Sequence, residues 1–422
     1  MPGRNVMTTD SQPPLRLPDA SVLARLATGR DESYFLPDLE HQQLRIEDQV
    51  GGRRLLIVGG AGSIGAATTK WLCRYGPASV HVVDLSENNL AELVRDLRSR
   101  PEGLSVEDFR TLPIDFGSAL MTRFLESQAP YDAVLNFAAL KHVRSEKDPF
   151  SLLRMIETNV IKQLELLRVL DRSSPSCRYF CVSTDKAANP VSLMGATKRL
   201  MEHAIFGGGA GPGRDGPASS ARFANVAFSD GSLLASFLNR LGKGQALAAP
   251  AETRRYFVSE SEAAHICTLA AFCAEDHTIA FPRLDPYADL VELTDIAVRL
   301  LAEVGYEARI YDDEARATKA VPTDRSKGRY PLLVTSLDTS GEKPFEEFVG
   351  DGEAEVETGL GTLGGVRYLP AGEGALDDLV KLATGMIQGR TPSSKTVLVE
   401  QIASVIPQFQ HRETGRSLDG RM

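Results

Sequence analysis

The sequence predicts an α/β protein whose core is a doubly wound parallel sheet, followed by a smaller C-terminal lobe. Short apolar runs alternate with amphipathic stretches between residues 54 and 226, which is typical of parallel strands connected by helices. A glycine-rich turn at 59–65 joins the first apolar run to a helix-like segment, as expected at the ligand-binding edge of such a sheet. Beyond residue 230 the alternation fades, which indicates a separate lobe.

Six apolar runs are the predicted strands of the sheet. They are LLIVG at 55–59, SVHVVD at 79–84, RTLPID at 110–115, AVLNFA at 133–138, RYFCVS at 178–183 and ARFANV at 221–226. The segments at 87–100 and 152–170 have the apolar spacing of amphipathic helices. A Gly/Pro-rich segment at 206–220 predicts a surface loop between the fifth and sixth strands.

Composition limits the classes of function. Hydrophobic residues make up 42% of the 422 residues and charged residues 24%, as in ordinary globular proteins. The net charge of −9 argues against non-specific nucleic-acid binding, because no basic excess is available to neutralise phosphates. The five cysteines form no CxxC pair and are interpreted as buried reduced thiols, and the dispersed histidines predict no metal site.

Targeting signals are missing from the sequence pattern. No apolar run reaches the ~18–20 residues that a bilayer span requires. The N-terminal segment MPGRNVMTTDSQPPLRLPD lacks the apolar core of a signal peptide. We therefore expect a cytoplasmic protein without a transmembrane segment, either free or peripherally attached.

The glycine-rich turn is the clearest local motif. Gly59, Gly62 and Gly65 have GxxGxxG spacing between an apolar strand and a helix. Glycines there permit a tight turn, and the helix directs its positive end at an anion such as a pyrophosphate. A glycine-rich turn without a ligand is the alternative interpretation.

Two carboxylates at strand ends extend this predicted dinucleotide site. Asp84 lies 19 residues after Gly65, where it can accept both ribose hydroxyls and repel a 2′-phosphate, so NAD is favoured over NADP. Asp115 either faces the adenine or caps a helix. The complete set of predicted cofactor contacts is Gly59, Gly62, Ser63, Ile64, Gly65, Asp84, Ser86, Asn89, Asp115, Phe116, Ala138, Ala139, Lys141 and Lys198.

These features give a predicted division of the chain. Scattered apolar positions at 21–50 predict one or two helices, and 374–406 predicts two amphipathic helices. The predicted units are an N-terminal helical extension at 1–50, a Rossmann-type NAD-binding domain at 51–230, a substrate-binding lobe at 231–370 that also returns to the main domain, and C-terminal helices with a tail at 371–422.

Further motifs indicate a family. They are NFAALKHV at 136–143, ETNV at 157–160, VSTDKAANPVSLMGATKRLME at 182–202, RFANVAFSDGS at 222–232, ETRRYFVS at 252–259 and DTSGEKPFEEF at 338–348. With the GxxGxxG spacing, they resemble the extended short-chain dehydrogenase/reductases, and within these the CapD-like UDP-N-acetylglucosamine 4,6-dehydratases. The resemblance covers residues 50–350. It implies NAD-dependent conversion of a UDP-N-acetylhexosamine such as UDP-GlcNAc to a 4-keto-6-deoxy sugar nucleotide, for polysaccharide, glycan or rare-sugar biosynthesis.

One position departs from most short-chain dehydrogenases, which have Tyr-x-x-x-Lys with a tyrosinate as base. This chain has Met194 there, four residues before Lys198, and a thioether cannot act as an acid or a base. By resemblance, methionine at this position occurs in a subset of the dehydratases. It argues against 4-epimerases and ordinary reductases, which use the tyrosine.

The resemblance also implies roles in an internal redox reaction. Hydride moves from sugar C4 to NAD⁺, a base removes the C5 proton, the C6 hydroxyl leaves as water, and hydride returns to C6. Asp185 is the implied general acid at the C6 hydroxyl, and Lys186 is the implied base at C5, in a neutral form favoured by burial and by Lys198. Thr184 would bind the C4 oxygen and relay its proton. Lys198 would bind the nicotinamide ribose and favour oxyanion character at C4, and Met194 would pack in place of the tyrosine.

Other matched positions carry weaker implications. Asn159 matches the asparagine that supports the active site through its helix, or is an ordinary polar helix residue. His142 borders the sugar or is purely structural. The implied substrate contacts are Lys141, His142, Asn225, Arg255, Glu342 and Lys343. An arginine can pair bidentately with phosphate, whereas surface ion pairs, which contribute little, are the alternative for these charged residues and for Asp185 with Lys186.

Two other functions stay open from sequence alone. The first is another nucleotide-sugar enzyme, such as an epimerase that does not dehydrate, and the missing tyrosine disfavours a 4-epimerase. The second is a catalytically silent NAD-binding module, which retention of Asp185, Lys186 and Lys198 disfavours. The expected partners are a UDP-sugar, NAD and further copies of the chain in a homo-oligomer.

Overall fold

The protein is described by a computed structural model that covers residues 16–101, 103–141, 146, 148–207, 215–336, 343 and 345–411. Its described strands, in chain order, are β1 (Arg54–Val58), β2 (Ser79–Val83), β3 (Asp108–Leu112), β4 (Ala133–Asn136), β5 (Arg178–Thr184), β6 (Ala218–Phe223), β7 (Asn225–Val226), β8 (Leu247–Pro250), β9 (Arg254–Val258), β10 (Thr278–Pro282), β11 (Leu290–Glu292), β12 (Glu307–Tyr311), β13 (Arg329–Thr335), β14 (Glu355–Val356) and β15 (Leu363–Arg367).

The largest sheet has nine strands in the order β14-β15-β10-β6-β5-β4-β1-β2-β3. Its strands from β10 to β3 pair in parallel, while β15 and β14 add an antiparallel edge. The strand order changes direction at β1, which lies between β2 and β4 and so creates the crevice where ligands of such sheets bind. The predicted doubly wound α/β class is confirmed.

Two predicted strands need correction. The run at 221–226 is wrong as a single strand, because β6 ends at Phe223 and β7 leaves the large sheet to pair in parallel with β9. The third run ends earlier than predicted, at Leu112. Pro113 follows directly and has no N–H to donate to a ladder.

Helices alternate with many of the strands, and further helices precede β1 and follow β15. They are α1 (Ala20–Thr28), α2 (Leu36–His41), α3 (Gln43–Val50), α4 (Ser63–Leu72), α5 (Glu87–Arg98), α6 (Ala119–Ser127), α7 (Pro149–Ile156), α8 (Lys162–Ser173), α9 (Leu193–Phe206), α10 (Leu233–Gly242), α11 (Glu260–Phe272), α12 (Leu293–Glu303), α13 (Glu314–Arg325), α14 (Ala375–Ile387) and α15 (Lys395–Val405). The stretch predicted as one helix at 152–170 is divided by a π-helical turn, Glu157–Ile161, between α7 and α8.

A second hydrophobic core lies beside the large sheet. Two three-stranded sheets, β11-β9-β7 and β12-β13-β8, belong to this region, and buried Phe237, Leu300 and Leu332 are among its central side chains. Residues after 231 therefore build this core and also supply β10, β14 and β15 to the large sheet. The predicted domain boundaries at 230 and 370 stay a prediction.

The N-terminal extension contacts both cores. Its described part, residues 16–50, contains three helices where one or two were predicted, because Gln42 separates α2 from α3. Ala27 of α1 packs in the second core, whereas Phe35 and Ile46 pack in the core of the large sheet. Between them, the Arg30 side chain lies 2.8 Å from a carboxylate oxygen of Glu262.

The predicted pair of C-terminal helices is confirmed as α14 and α15. Leu379, Ala383 and Ile402 are fully buried in a third cluster, where they meet Leu193 and Leu200 of α9. The pair thus covers one side of the helix that carries Met194 and Lys198. Across the described parts of the chain, no helix has both the length and the apolar character to cross a membrane.

A buried ion network joins α9 to the large sheet. Glu202 lies 2.8 Å from Arg222 of β6 and 3.0 Å from Arg199, and it accepts a 2.6 Å hydrogen bond from the Ser183 hydroxyl. Glu353 pairs with both arginines from the other side. These side chains are almost fully buried, so loss of one partner would leave an uncompensated charge.

Candidate active site

A cleft of about 520 Å³ lies at the carboxyl edge of the parallel strands. Its lining includes the glycine-rich turn after β1, the end of β2, the segment after β4 and the residues that follow β5. This is the edge at which open α/β sheets bind ligands. The cleft is large enough to be a small-molecule site.

The glycine-rich turn requires glycine for steric reasons. Gly59 has φ +68°, and a Cβ there would lie 2.5 Å from the Ala138 amide nitrogen. A Cβ on Gly65 would lie 2.3 Å from the Gly59 carbonyl oxygen. Both glycines therefore permit backbone contacts that any side chain would prevent.

The start of α4 is open to an anion. Its N-cap residue, Gly62, supplies no side-chain hydrogen bond to the first turn, and a Cβ there would meet nothing closer than 3.7 Å. Gly62, Ser63 and Ile64 all line the cleft. The first turn's amides and the helix dipole therefore fit a bound pyrophosphate.

Asp84 lines the same cleft. Its carboxylate accepts hydrogen bonds from the backbone amides of Ala61, at 3.0 Å, and Ser86, at 2.9 Å, which fixes its orientation at the end of β2. The structure does not bring Ser86 and Asn89 to the described cleft lining. The Ser86 hydroxyl caps α5 and Asn89 is exposed, so their cofactor contacts stay a prediction.

Asp115 has a different environment from either sequence interpretation. The helix-cap alternative is wrong, because Ser118 caps α6. One Asp115 oxygen accepts the Gly117 amide at 3.0 Å and the other pairs with the Lys162 amine. Burial alone would raise the pKa of Asp115, but these hydrogen bonds lower it. Phe116, rather than Asp115, lines the cleft.

Thr184, Asp185 and Lys186 lie where β5 ends and a short 3-10 turn begins. One Asp185 oxygen, Oδ1, accepts the Thr184 hydroxyl at 2.7 Å and the Lys186 amine at 2.9 Å. The other oxygen, Oδ2, is buried and has no hydrogen-bond partner among the described residues. Thr184 and Lys186 line the cleft, and the Asp185 side chain is 2% exposed. An exposed ion pair is therefore the wrong interpretation of Asp185 and Lys186.

Helix α9 packs closely on this turn because its third residue is glycine. A Cβ on Gly195 would lie 2.4 Å from the Lys186 carbonyl oxygen. Ser192 caps the start of the helix, and its hydroxyl accepts the Gly195 amide at 3.0 Å. This packing puts Met194 and Lys198 in the cleft wall beside Lys186.

The Lys198 amine is held against the sheet. It donates to the Val182 carbonyl oxygen at 2.5 Å and contacts the Met201 sulfur at 3.2 Å. Burial lowers the pKa of Lys198, since removal from water disfavours an ammonium. Met194 brings only a thioether to the cleft, and its amide donates to the buried Glu146 carboxylate at 2.9 Å.

Asn159 supports the cleft from behind. Its side-chain oxygen accepts the Leu140 amide at 2.8 Å, while its side-chain nitrogen donates to the Leu140 carbonyl and to the Thr197 hydroxyl. It therefore ties the segment after β4 to α9. The ordinary polar helix residue is the wrong interpretation, since Asn159 is buried in the π-helical turn.

The remaining predicted contacts divide into three groups. Ala138, Ala139, Lys141 and Asn225 line the cleft, and the Asn225 side-chain nitrogen is buried with no partner in the described structure. Arg255 and Lys343 lie away from this lining, and Arg255 donates to the Lys343 carbonyl oxygen at 3.0 Å. The predicted residues His142 and Glu342 lie outside the described residues.

Among the residues of this region that sequence reasoning missed, two have buried polar groups that bear on the site. Glu346 is a buried carboxylate 3.9 Å from the Lys186 amine. It lies in the motif at 338–348, but nothing in that motif distinguishes it from the exposed Glu347. Thr158 lines the cleft with a buried hydroxyl that has no described partner, and its place beside Asn159 in ETNV was the available signal.

Comparison with known proteins gives one family match and several relatives. Residues 55–363 match the family model described as polysaccharide biosynthesis protein. An uncharacterized membrane protein of Methanocaldococcus jannaschii, MJ1061, is 32% identical over 60% of this chain and 74% of that protein. The probable polysaccharide biosynthesis protein EpsC of Bacillus subtilis is 27% identical over 74% of this chain and 47% of that protein.

A UDP-N-acetylglucosamine 4,6-dehydratase (inverting) of Campylobacter jejuni is 28% identical over 49% of this chain and 60% of that enzyme. The chain thus spans about half of EpsC and three fifths of the dehydratase. Among solved structures, Pen from Bacillus thuringiensis has a TM-score of 0.61 at 21% identity, over 75% of this chain and 87% of that one. A UDP-glucose 4-epimerase from Thermotoga maritima has a TM-score of 0.51 at 19% identity, over 71% and 90%. At these identities the likeness shows the fold.

Proposed function

The chain belongs to the polysaccharide biosynthesis protein family, and from that premise we propose that it is an NAD-dependent nucleotide-sugar 4,6-dehydratase. The proposed substrate is a UDP-N-acetylhexosamine, with UDP-GlcNAc as the first to test. The observation that carries the proposal is the hydrogen-bonded group Thr184-Asp185-Lys186 in the wall of the cleft that begins at the glycine-rich turn. A carboxyl group and an amine are side by side there, and they would serve as the general acid and the general base that elimination of water requires.

The residues of the cleft fit a dinucleotide. Gly59, Gly62 and the first turn of α4 would hold the pyrophosphate, and Asp84 would accept the ribose hydroxyls of the adenosine half. Lys198 of α9, which also lines the cleft, would hold the nicotinamide ribose. The chemistry that NAD supplies when bound is reversible storage of a hydride.

Thr184 and Asp185 can carry one proton through the reaction. Oxidation at C4 releases the proton of the C4 hydroxyl, which the Thr184 oxygen can accept while its own proton passes to Asp185 Oδ1, 2.7 Å away. Protonated Asp185 can then donate to the C6 oxygen as that group leaves as water. The proton released at C4 thus balances the one consumed at C6, and Met194 needs no acid–base role.

Lys186 would act on the neighbouring carbon. Its neutral amine would remove the C5 proton, which the C4 ketone has made acidic, and would return a proton to C5 after water has left. Asp185 Oδ1, 2.9 Å from the amine, holds it in place and stabilises the ammonium formed between these steps. Buried Lys198 would stabilise negative charge at the C4 oxygen.

The nucleotide end of the substrate would extend toward the second core. Arg255 and Lys343 offer two cations for the diphosphate, and the unpartnered Asn225 side-chain nitrogen offers a donor inside the cleft. Lys141 would lie at the border between cofactor and sugar. Oligomeric state and cellular location stay predictions.

Incubation of the protein with UDP-GlcNAc and NAD⁺, followed by mass spectrometry of the nucleotide sugar, tests the proposal. A 4,6-dehydratase gives a product lighter by one water. A product of unchanged mass but altered configuration would replace the proposal with an epimerase. NAD binding without conversion of any UDP-hexose would indicate the silent module.

A further inference from the structure

The Glu346 carboxylate is a buried charge for which the proposed reaction gives no role. Its side chain is 4% exposed. Oε1 lies 3.9 Å from the Lys186 amine and 4.0 Å from the Arg255 guanidinium, and Oε2 lies 3.9 Å from the Lys343 amine. A carboxylate is removed from water at large cost unless nearby charges compensate for it.

Glu346 and Asp185 both lie within 4.0 Å of the Lys186 amine. Asp185 is the residue next to Lys186 in the chain, whereas Glu346 arrives from a segment 160 residues later. The described charged groups that face Glu346 are Lys186, Asp185, Arg255 and Lys343. Glu346 lies within 4.0 Å of three cations, and Lys186 is the one that Asp185 also contacts.

We propose that Glu346 is a positioning residue that, together with Asp185, holds the Lys186 amine and raises the pH at which this amine becomes neutral. The proposal rests on the proposed function for the role of Lys186 as base. The Glu346 carboxylate also connects Lys186 to Arg255 and Lys343, because it contacts all three cations. Glu346 is a described residue that does not line the cleft, so its proposed role is to position Lys186.

The physical consequence has a definite sign. A carboxylate within ~4–6 Å of an amine favours the ammonium form and moves its titration to higher pH by roughly 1–3 units. Arg255 and Lys343 share the Glu346 charge, which places the expected effect at the lower end, about one unit. Burial raises the pKa of Glu346, and the negative charge of Asp185 adds to that rise. Amines nevertheless titrate at alkaline pH, where a carboxylate such as Glu346 is ionised.

The test measures the amine directly. Lys186 is acylated with a trace of amine-reactive reagent across a pH series, and peptide mass spectrometry gives the midpoint pH of its reactivity. E346Q should lower the midpoint by about one unit, and E346D, which retains the charge on a shorter side chain, should lower it less. E347Q is the matched control, because it removes the same charge from the exposed neighbouring position, and should leave the midpoint unchanged.

A midpoint in E346Q equal to that of the wild type would overturn the proposal, as would equal shifts in E346Q and E347Q. If a thermal melt shows that E346Q does not fold, the comparison of wild type with E346D tests the proposal. An unchanged midpoint in E346D would then overturn the proposal. The same shift should appear in the acid limb of the kcat–pH profile with UDP-GlcNAc. If the wild type converts no UDP-sugar, the proposed function fails, while the labelling midpoint still decides the role of Glu346.

Discussion

Replacement of Thr184 by valine tests the proton path most selectively. Valine has nearly the same shape as threonine but lacks the hydroxyl that donates to Asp185 Oδ1 at 2.7 Å. The same oxygen keeps the Lys186 amide and the Lys186 amine as donors, each at 2.9 Å. The variant should therefore lose about 1 kcal/mol of folding stability, the typical contribution of one hydrogen bond.

The effect on activity should be much larger than the effect on stability. Without the hydroxyl, the C4 proton has no path to Asp185, so one positioned acid–base step is lost. Such steps contribute about 10²–10⁴-fold to rate, which corresponds to about 3–5 kcal/mol of the barrier. We expect kcat with UDP-GlcNAc to fall by at least about 100-fold, with little change in KM because the C4 oxygen is a small part of the bound surface.

Steady-state kinetics with UDP-GlcNAc, measured on wild type, Thr184→Val and Thr184→Ser, provides the assay. Serine restores the hydroxyl and should recover most of the rate, which separates the proton path from packing. A Thr184→Val enzyme that retains kcat within about tenfold, or a Thr184→Ser enzyme as slow as the valine variant, would refute the relay.

Three further perturbations follow from the structure. Gly195→Ala places a Cβ 2.4 Å from the Lys186 carbonyl oxygen and should cost about 1–3 kcal/mol by overpacking; a urea titration that shows no loss would contradict the close packing of α9. Asp84→Asn should weaken NAD binding by about 10–100-fold, the effect of losing charged hydrogen bonds to ribose. In calorimetric titrations, the variant should also show a smaller preference for NAD over NADP. Burial by itself raises the pKa of Glu202, but Arg222 lowers it to about 2 from 4.5. The folding stability that this ion pair contributes is therefore complete above pH 4.5 and should be lost as the pH falls toward 2. Glu202→Gln should lose about 3–5 kcal/mol of folding stability at neutral pH. In guanidinium unfolding, this variant should also lack the acid dependence.

The parts of the fold predicted correctly are those that local chemistry determines. The turn at 59–65 requires glycine at Gly59 and Gly65 because of backbone contacts within a few residues and across one neighbouring strand. The parallel strands are recognisable in the sequence as apolar runs, because both faces of the sheet are buried. The resemblance to a known family then located Thr184, Asp185 and Lys186, which no periodicity could have separated from other polar residues.

The parts that were missed depend on contacts distant in sequence. Asp115 could not be interpreted from its neighbours, because its partner Lys162 lies 47 residues away. The π-helical turn around Asn159 leaves an apolar spacing close to that of an α-helix, so the pattern at 152–170 predicted one continuous helix. Glu346 lies 160 residues after Lys186, in a segment whose Phe348 and Val349 pack in the core of the large sheet. No local sequence pattern records this long-range contact.

The account depends most directly on Lys186 exchanging the proton at sugar C5. The decisive measurement is NMR of the product formed from UDP-GlcNAc in D₂O by wild type and by Lys186→Ala, the latter with its NAD binding verified. The account predicts a 4-keto-6-deoxy product that carries deuterium at C5 with wild type, and no such product with Lys186→Ala. Product formation that is undiminished in Lys186→Ala, or a wild-type product that keeps its original C5 proton, would contradict it.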